Sequence, residues 1–271
     1  MVKKLFKHEF IYYFRTFSLF LPIVLVIAVM ARVFRLFETI DSVIVEIAIV
    51  SSFAMLVVAC AALIMLSVVV AVVRFYKNLY TAEGYLTFTL PITNAQHIFV
   101  KLLTAVCCQV ICVLTVIAAG VIALFGNPLH DLMSKISIMI AELAGELGVV
   151  NFIVLTLEAI VAVILSVAEN MLLYYACITV GQTAKKNRIL MAVGAYFVYY
   201  VATQVVSTVL VMIITVLGLS GAFQGLVDWL ENNMIISMYL VSGIMMTLSA
   251  AKATAFWFVS QSIMTKKLNL E

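Results

Sequence analysis

The sequence predicts an all-α membrane protein with six transmembrane helices. Three observations carry that expectation. The 271-residue chain is 66% hydrophobic and only 11% charged, with a mean hydropathy of +1.22, whereas soluble domains carry roughly a quarter charged residues. Only 3 Pro and 11 Gly interrupt it, so long helices are favoured, and the short polar–apolar alternation of barrel strands is absent. The apolar residues gather into six runs, each long enough to approach or exceed the about 20 residues needed to cross ~30 Å of hydrocarbon.

Those runs are 17–33, 43–73, 98–125, 149–181, 189–219 and 234–263. Together they make 1–271 a single transmembrane domain. Run 43–73 is long enough to project beyond the bilayer or to tilt. Orientation follows from Lys and Arg, which collect on the cytoplasmic side of a membrane. An N-in, C-in arrangement places Lys3, Lys4, Lys7, Arg15, Arg74, Lys77, Lys101, Lys185, Lys186, Arg188, Lys266 and Lys267 inside. It leaves only Arg32, Arg35 and Lys135 outside, with Lys252 within a run. The outer segments carry Glu38, Asp41, Asp131, Glu142, Glu146, Asp228 and Glu231 instead. The expected location is the cytoplasmic membrane, as a multi-pass protein. The N-terminus lacks a short apolar stretch followed by a small-residue cleavage site, so the first run is expected to remain as an anchor.

Three segments do not span. Residues 3–16 read as an amphipathic interfacial helix. Phe6, Phe10, Tyr13 and Phe17 share one face, with Lys4, His8 and Arg15 opposite, and aromatics of this kind settle at the headgroup boundary. The alternative is a span that begins early. Residues 127–148 read as an external amphipathic helix. Asn127 suits an N-cap, Pro128 the first helical position and Gly148 the stop. Leu129, Leu132, Met133, Ile136, Ile140, Leu143 and Leu147 form its apolar stripe. The stripe would lie on the membrane, cover a pore or pack on the chain's own spans. Residues 219–233 hold Gly221, Gly225 and Trp229 and suggest a short re-entrant or surface helix, with Trp as an interfacial anchor.

The loop 76–96 is too apolar for a free loop and too polar for a span. Tyr80, Tyr85, Leu86, Phe88 and Leu90 are costly to leave in water, and Glu83 is its only acid. Pro91 disfavours helix at Leu90, and Gly84 weakens it locally. A short helix near Tyr80–Thr87, an extended turn and a new helix from Thr93 fit these constraints. Such a segment could seat in a groove of a soluble partner, with Glu83 meeting a basic residue. Alternatively the aromatics pack against the feet of their own spans.

The run from Arg74 to Pro91 contains Asn78-Leu79, Glu83-Gly84-Tyr85-Leu86 and Leu90-Pro91. It resembles bacterial ABC transporter permeases of the type 2 exporter class, and is most similar to Firmicutes six-span permeases with the pattern Asn-Leu-x-x-x-Glu-Gly-Tyr-Leu-x-x-x-Leu-Pro. The wider layout is similar too: an interfacial helix, six spans, both ends inside and an external element before the last span. The long segment 127–148 departs from it. The resemblance implies that 76–96 contains a coupling helix, with Tyr80, Glu83, Gly84, Tyr85, Leu86, Phe88, Leu90 and Pro91 at the contact. It implies a dimer of six-span subunits, homodimeric or heterodimeric, bound to two ATPase subunits that hold ATP and Mg. This chain would then be a non-catalytic transport subunit without a cofactor of its own. The absence of a G-x-x-x-x-G-K motif followed by Ser or Thr agrees, since the chain has no phosphate loop of that kind.

Charges inside spans need partners or water, because a lone charge at mid-membrane costs roughly 3 kcal/mol or more. Glu158 and Glu169 fall within about 20° of one face and lie about 16 Å apart along a helix, with Asn170 adjoining. Glu169 and Lys252 sit at similar depths, so an ion pair between them is expected. Glu158 has no evident partner and is the better candidate for a substrate cavity. Glu158, Glu169 and Lys252 could instead serve a proton-coupled secondary transporter, although no internal repeat of the kind common in such folds is visible. A non-transporting scaffold or sensor is a further alternative.

Other chemistry is not signalled. Cys60, Cys107, Cys108, Cys112 and Cys177 all lie in apolar runs and read as small core residues; Cys108 and Cys112 have no second pair at metal-ligand spacing, and no metal site is expected. His8, His97 and His130 are scattered near interfaces. No H-E-x-x-H, paired aspartates or G-x-S-x-G turn appears, which argues against a membrane protease or lipid-processing enzyme. The absence of a basic soluble domain argues against nucleic acid. An amphipathic peptide, antimicrobial or lipid, moved outward, is the expected substrate.

Overall fold

The computed structural model describes residues 2–38, 40, 42–81, 84, 93–184, 186–221 and 223–266, and over these it contains helices and no strand. The helices are α1 (Val2–Arg35), α2 (Val43–Tyr80), α3 (Asn94–Leu124), α4 (Asn127–Leu147), α5 (Val149–Gly181), α6 (Arg188–Leu219), α7 (Gln224–Asn232) and α8 (Met234–Lys266). Six of them, α1, α2, α3, α5, α6 and α8, are long and apolar enough to cross a membrane, the mark of a multi-pass membrane protein. The helices gather into two compact units, Met1–Glu142 and Leu143–Glu271.

In the first unit, α1, α2 and α3 pack on one another. The sequence separates an interfacial helix 3–16 from a span 17–33; the structure replaces that break with one helix from Val2 to Arg35 that carries Pro22 in its interior. Nothing between Lys3 and Phe17 breaks helix, and a continuous helix satisfies its own backbone groups, as an apolar medium requires. The aromatic face then finds protein. Tyr13 and Phe17 are buried, and with Phe10 they line a small cavity shared with Cys108, Ile111 and Cys112 of α3. Phe6 stacks on Phe10 at 5.9 Å, while Lys4, His8 and Arg15 stay exposed as expected. Toward the other end, Ala28 and Ala31 of α1 and Ala119 and Ala123 of α3 are at most 1% exposed. Small residues let helix backbones approach closely, where dispersion must supply what water cannot.

Local sequence sets the boundaries. Helix α3 opens with a capping box: the Gln96 N–H donates to Thr93 Oγ1 (3.4 Å) and the Thr93 N–H to Gln96 Oε1 (3.2 Å). Helix α4 starts at Asn127, the residue expected to cap it and one position before the expected first helical residue Pro128. Gly148 adopts φ +80 between α4 and α5, a positive-φ conformation that glycine enters at no steric cost and residues with a Cβ rarely adopt. Along the stripe of α4, Leu132, Met133, Ile140 and Leu143 are 39–49% exposed, Leu129 and Ile136 are half-buried and Leu147 is buried.

In the second unit, α5 packs against both α6 and α8, and α7 against α8. The α5–α6 turn is tight: a Cβ on Gly181 would stand 2.6 Å from Ala192 Cβ and 2.7 Å from the Arg188 carbonyl oxygen. Aromatic pairs join the helices, Tyr174 with Tyr196 at 5.7 Å and Tyr199 with Phe256 at 5.3 Å. Trp229 on the short helix α7 is 44% exposed.

Candidate functional site

Among the described residues, two polar constructions stand out in this apolar fold, one in each unit. The first lies where the N-terminal end of α1, the C-terminal end of α2 and the N-terminal end of α3 converge. Its centre is Glu9, 3% exposed. Glu9 Oε1 accepts from Lys101 Nζ at 2.9 Å and from Asn78 Nδ2 at 2.8 Å. Its Oε2 accepts from Arg74 Nε at 3.2 Å. The guanidinium of Arg74 also lies over the Tyr12 ring, 3.9 Å from its centroid, a cation–π contact. His97, one turn before Lys101, is buried at 1% exposure. Deeper in the unit the Ser67 hydroxyl bonds the Gln109 side chain between α2 and α3.

Glu9 is the residue that sequence reasoning missed. Within an amphipathic segment rich in lysine it reads as one more polar residue. A signal was present, however: Glu9, Tyr13 and Phe17 follow at intervals of four, which puts the carboxylate on the aromatic face. An acid on a face destined for burial requires cations, and Arg74 and Lys101 supply them from two other helices.

The node stands at the root of the 76–96 loop, since Asn78 is in the last turn of α2 and Lys101 in the second turn of α3. Within that loop, Tyr80 is half-buried and lies 6.0 Å from Phe75 and 6.4 Å from Tyr76. Gly84 is buried, and its N–H donates to the Thr81 carbonyl at 2.7 Å. Glu83, Tyr85, Leu86, Phe88, Leu90 and Pro91 lie outside the described residues.

The second construction is a polar seam between α5 and α8. Tyr239 OH donates to Asn151 Oδ1 at 3.2 Å, Ser242 Oγ to Glu158 Oε2 at 2.8 Å, and Lys252 Nζ pairs with Glu169 Oε1 at 2.6 Å. Partner numbers rise together along both helices, so α5 and α8 run parallel. The Glu169–Lys252 pair is the one expected from matched depth. Glu158, by contrast, was expected to lack a partner, and Ser242 corrects that: a serine hydroxyl carries no charge, so a search for counter-ions passes it over. Asn170 does not join the seam. It is exposed, and its Nδ2 donates to the Ser166 carbonyl at 2.8 Å, because one residue beyond Glu169 the helix has turned by about 100°.

At the opposite end of the first unit, Arg35 pairs with Glu38 at 3.4 Å and lies over the Phe53 ring, while the Arg32 guanidinium packs against Gly126 just beyond the end of α3. A cation there complements the negative end of the α3 dipole. Cys108, Cys112 and Cys177 are buried thiols and Cys60 and Cys107 half-buried ones. No protein-family model, curated protein or solved structure matches the chain.

Proposed function

We propose that the chain is the membrane-spanning permease subunit of an ATP-driven exporter, set N-in and C-in by its charge distribution. Separate ATPase subunits, holding ATP and Mg, would press on the 76–96 loop, and a second six-span subunit would complete the path. An amphipathic substrate would leave outward. The observation that carries this reading is the Glu9 node. It ties α1, α2 and α3 together at the root of the loop, with three charged or amide partners at 2.8–3.2 Å around one buried carboxylate. A push delivered to the loop is then borne by three helices as one body. A loop hinged on α2 and α3 alone would absorb it. The resemblance of Asn78–Pro91 to exporter permeases supports the same direction of force.

A gradient-driven transporter built on Glu158, Glu169 and Lys252 is less well supported. Two of those three groups already neutralise each other at 2.6 Å.

The test is to purify the tagged chain gently from its native host and identify what accompanies it while ATP hydrolysis is measured. A co-purifying phosphate-loop ATPase, lost when Glu83 and Tyr85 are replaced together, is the expected result. A chain that purifies alone, with no ATPase captured by crosslinking, would overturn the reading.

A further inference from the structure

We propose that Glu158, presented by Ser242 on the α5–α8 seam, is the binding site for the cationic headgroup of a membrane-borne amphipath, an alkylammonium or alkylguanidinium. This names the substrate class for the exporter reading and rests on that reading only for the step of transport.

The depth of Glu158 makes it costly. It lies about 14 Å along α5 from the helix start at about 1.5 Å per residue, so a hydrocarbon layer of ~30 Å that begins with the apolar run at Val149 holds it near its middle. There a carboxylate needs a cation, a proton or water. Among the described residues no Lys, Arg or His forms an ion pair with it; the ion pairs formed by α5 and α8 begin and end with Glu169 and Lys252. Its hydrogen-bond donor is Ser242, whose hydroxyl has one proton to give. That hydroxyl lies 2.8 Å from Glu158 Oε2 and 3.0 Å from the Tyr239 carbonyl oxygen, so the carboxylate shares even this donor with the backbone. An ionised carboxylate offers about four acceptor positions, and most are left for a ligand.

The surroundings suit a tail as well as a head. Val154 and Val161, one turn either side of Glu158, are 39% and 50% exposed, and Met245, one turn beyond Ser242, is 62% exposed. Glu158 itself is only half-buried. A headgroup bearing N–H donors could reach the oxygens while an alkyl chain covers the valines. The seam already accommodates this chemistry three turns further along. There the Lys252 ammonium sits 2.6 Å from Glu169 with its side chain 49% exposed. Glu158 repeats that acceptor on the same face of α5 without an internal ammonium, so the ligand would supply what Lys252 supplies to Glu169.

The experiment uses the purified full chain in phosphatidylcholine nanodiscs, without any ATPase, and the membrane-soluble reagent dicyclohexylcarbodiimide, which modifies carboxyl groups within the bilayer. Labelling of Glu158 is followed by mass spectrometry with dodecylammonium or with neutral dodecyl maltoside present. Dodecylammonium at about ten times its dissociation constant should slow labelling about tenfold, as occupancy requires, and the neutral amphipath should not. Protection already present in nanodiscs containing phosphatidylethanolamine would assign the ammonium to a lipid; protection by dodecylammonium only would assign it to a free amphipath. Equal labelling with charged and neutral amphipaths would overturn the site. The carbodiimide reacts with the protonated carboxyl, so labelling is repeated across pH; an absence of labelling at every pH would also overturn the site, since a position open to a cation from the bilayer is open to the reagent. A negative result leaves the ATP-driven reading standing, and failure to find an ATPase leaves this site standing.

Discussion

Glu9 on α1 and Lys101 on α3 are 92 residues apart in the chain, yet their charged atoms meet at 2.9 Å with side chains 3% and 4% exposed. Neither residue can be solvated by water in that position, so each depends on its polar partners, and the Glu9 carboxylate also accepts from Arg74 and Asn78. Breaking a buried pair by removing one partner costs about 3–5 kcal/mol, because the remaining charge is left uncompensated. Replacing Glu9→Gln should therefore lower the Tm of the detergent-solubilised protein by several degrees. Lys101→Met should cost less, because Arg74 and Asn78 still serve the carboxylate. The double replacement should be milder than the sum of the two. Strict additivity would show that the pair carries no coupling energy.

Asn78 offers a gentler probe of the same node. Its amide donates to Glu9 Oε1 at 2.8 Å, and Asn78→Ala should cost about 1–3 kcal/mol through the unsatisfied acceptor. On the proposed exporter reading, the chain should still assemble with an ATPase, since the loop is intact. Transport per ATP hydrolysed should fall, because the node no longer holds α1 to the root of the loop. Transport measured in proteoliposomes with an unchanged ratio would show that α1 takes no part in transmission.

In the second unit, Glu169 and Lys252 meet at 2.6 Å within apolar helices. Glu169→Leu or Lys252→Leu alone strands a charge, at a cost of roughly 3 kcal/mol or more, and should reduce the yield of folded protein. Exchanging the two charges, Glu169→Lys with Lys252→Glu, should restore much of it. Size-exclusion profiles of the three variants provide the comparison; a swap no better than the single changes would argue against a structural pair.

Gly181 and Gly120 respond oppositely to the same substitution. Gly181→Ala forces a methyl to within 2.6 Å of Ala192 Cβ and 2.7 Å of a backbone oxygen, and overpacking of this kind costs about 1–3 kcal/mol. Among the described residues nothing lies within 4 Å of a Cβ added at Gly120, so Gly120→Ala should stabilise by about 0.5–1 kcal/mol through helix propensity. Thermal melts of the two variants should move in different directions, and a common shift would contradict the tight α5–α6 turn.

What can be read along a line of sequence is what depends on local order. The six long helices follow from run length and composition. The capping box at Thr93 follows from residues three apart, and the turn at Gly148 follows from a glycine where φ must be positive. The Glu169–Lys252 pair was also legible, since depth along a span can be counted from its ends. Helix-wheel geometry stops at the surface of one helix, however. It shows that Tyr13 and Phe17 form a face but not that the face meets α3 instead of headgroups, so an interfacial helix was expected where the structure has the first turns of a longer one. It shows Glu9 on that face but not Arg74, Asn78 and Lys101 around it, because those partners converge only when helix ends from distant parts of the chain are brought together. Ser242 is the same lesson in neutral form: hydroxyls are scattered through the apolar runs, and only packing of α5 against α8 selects the one that reaches Glu158. The sequence alone determined which segments are helices and where charge would be expensive. The tertiary structure decided which charges are satisfied, because that depends on distances between helices, and no local pattern encodes them.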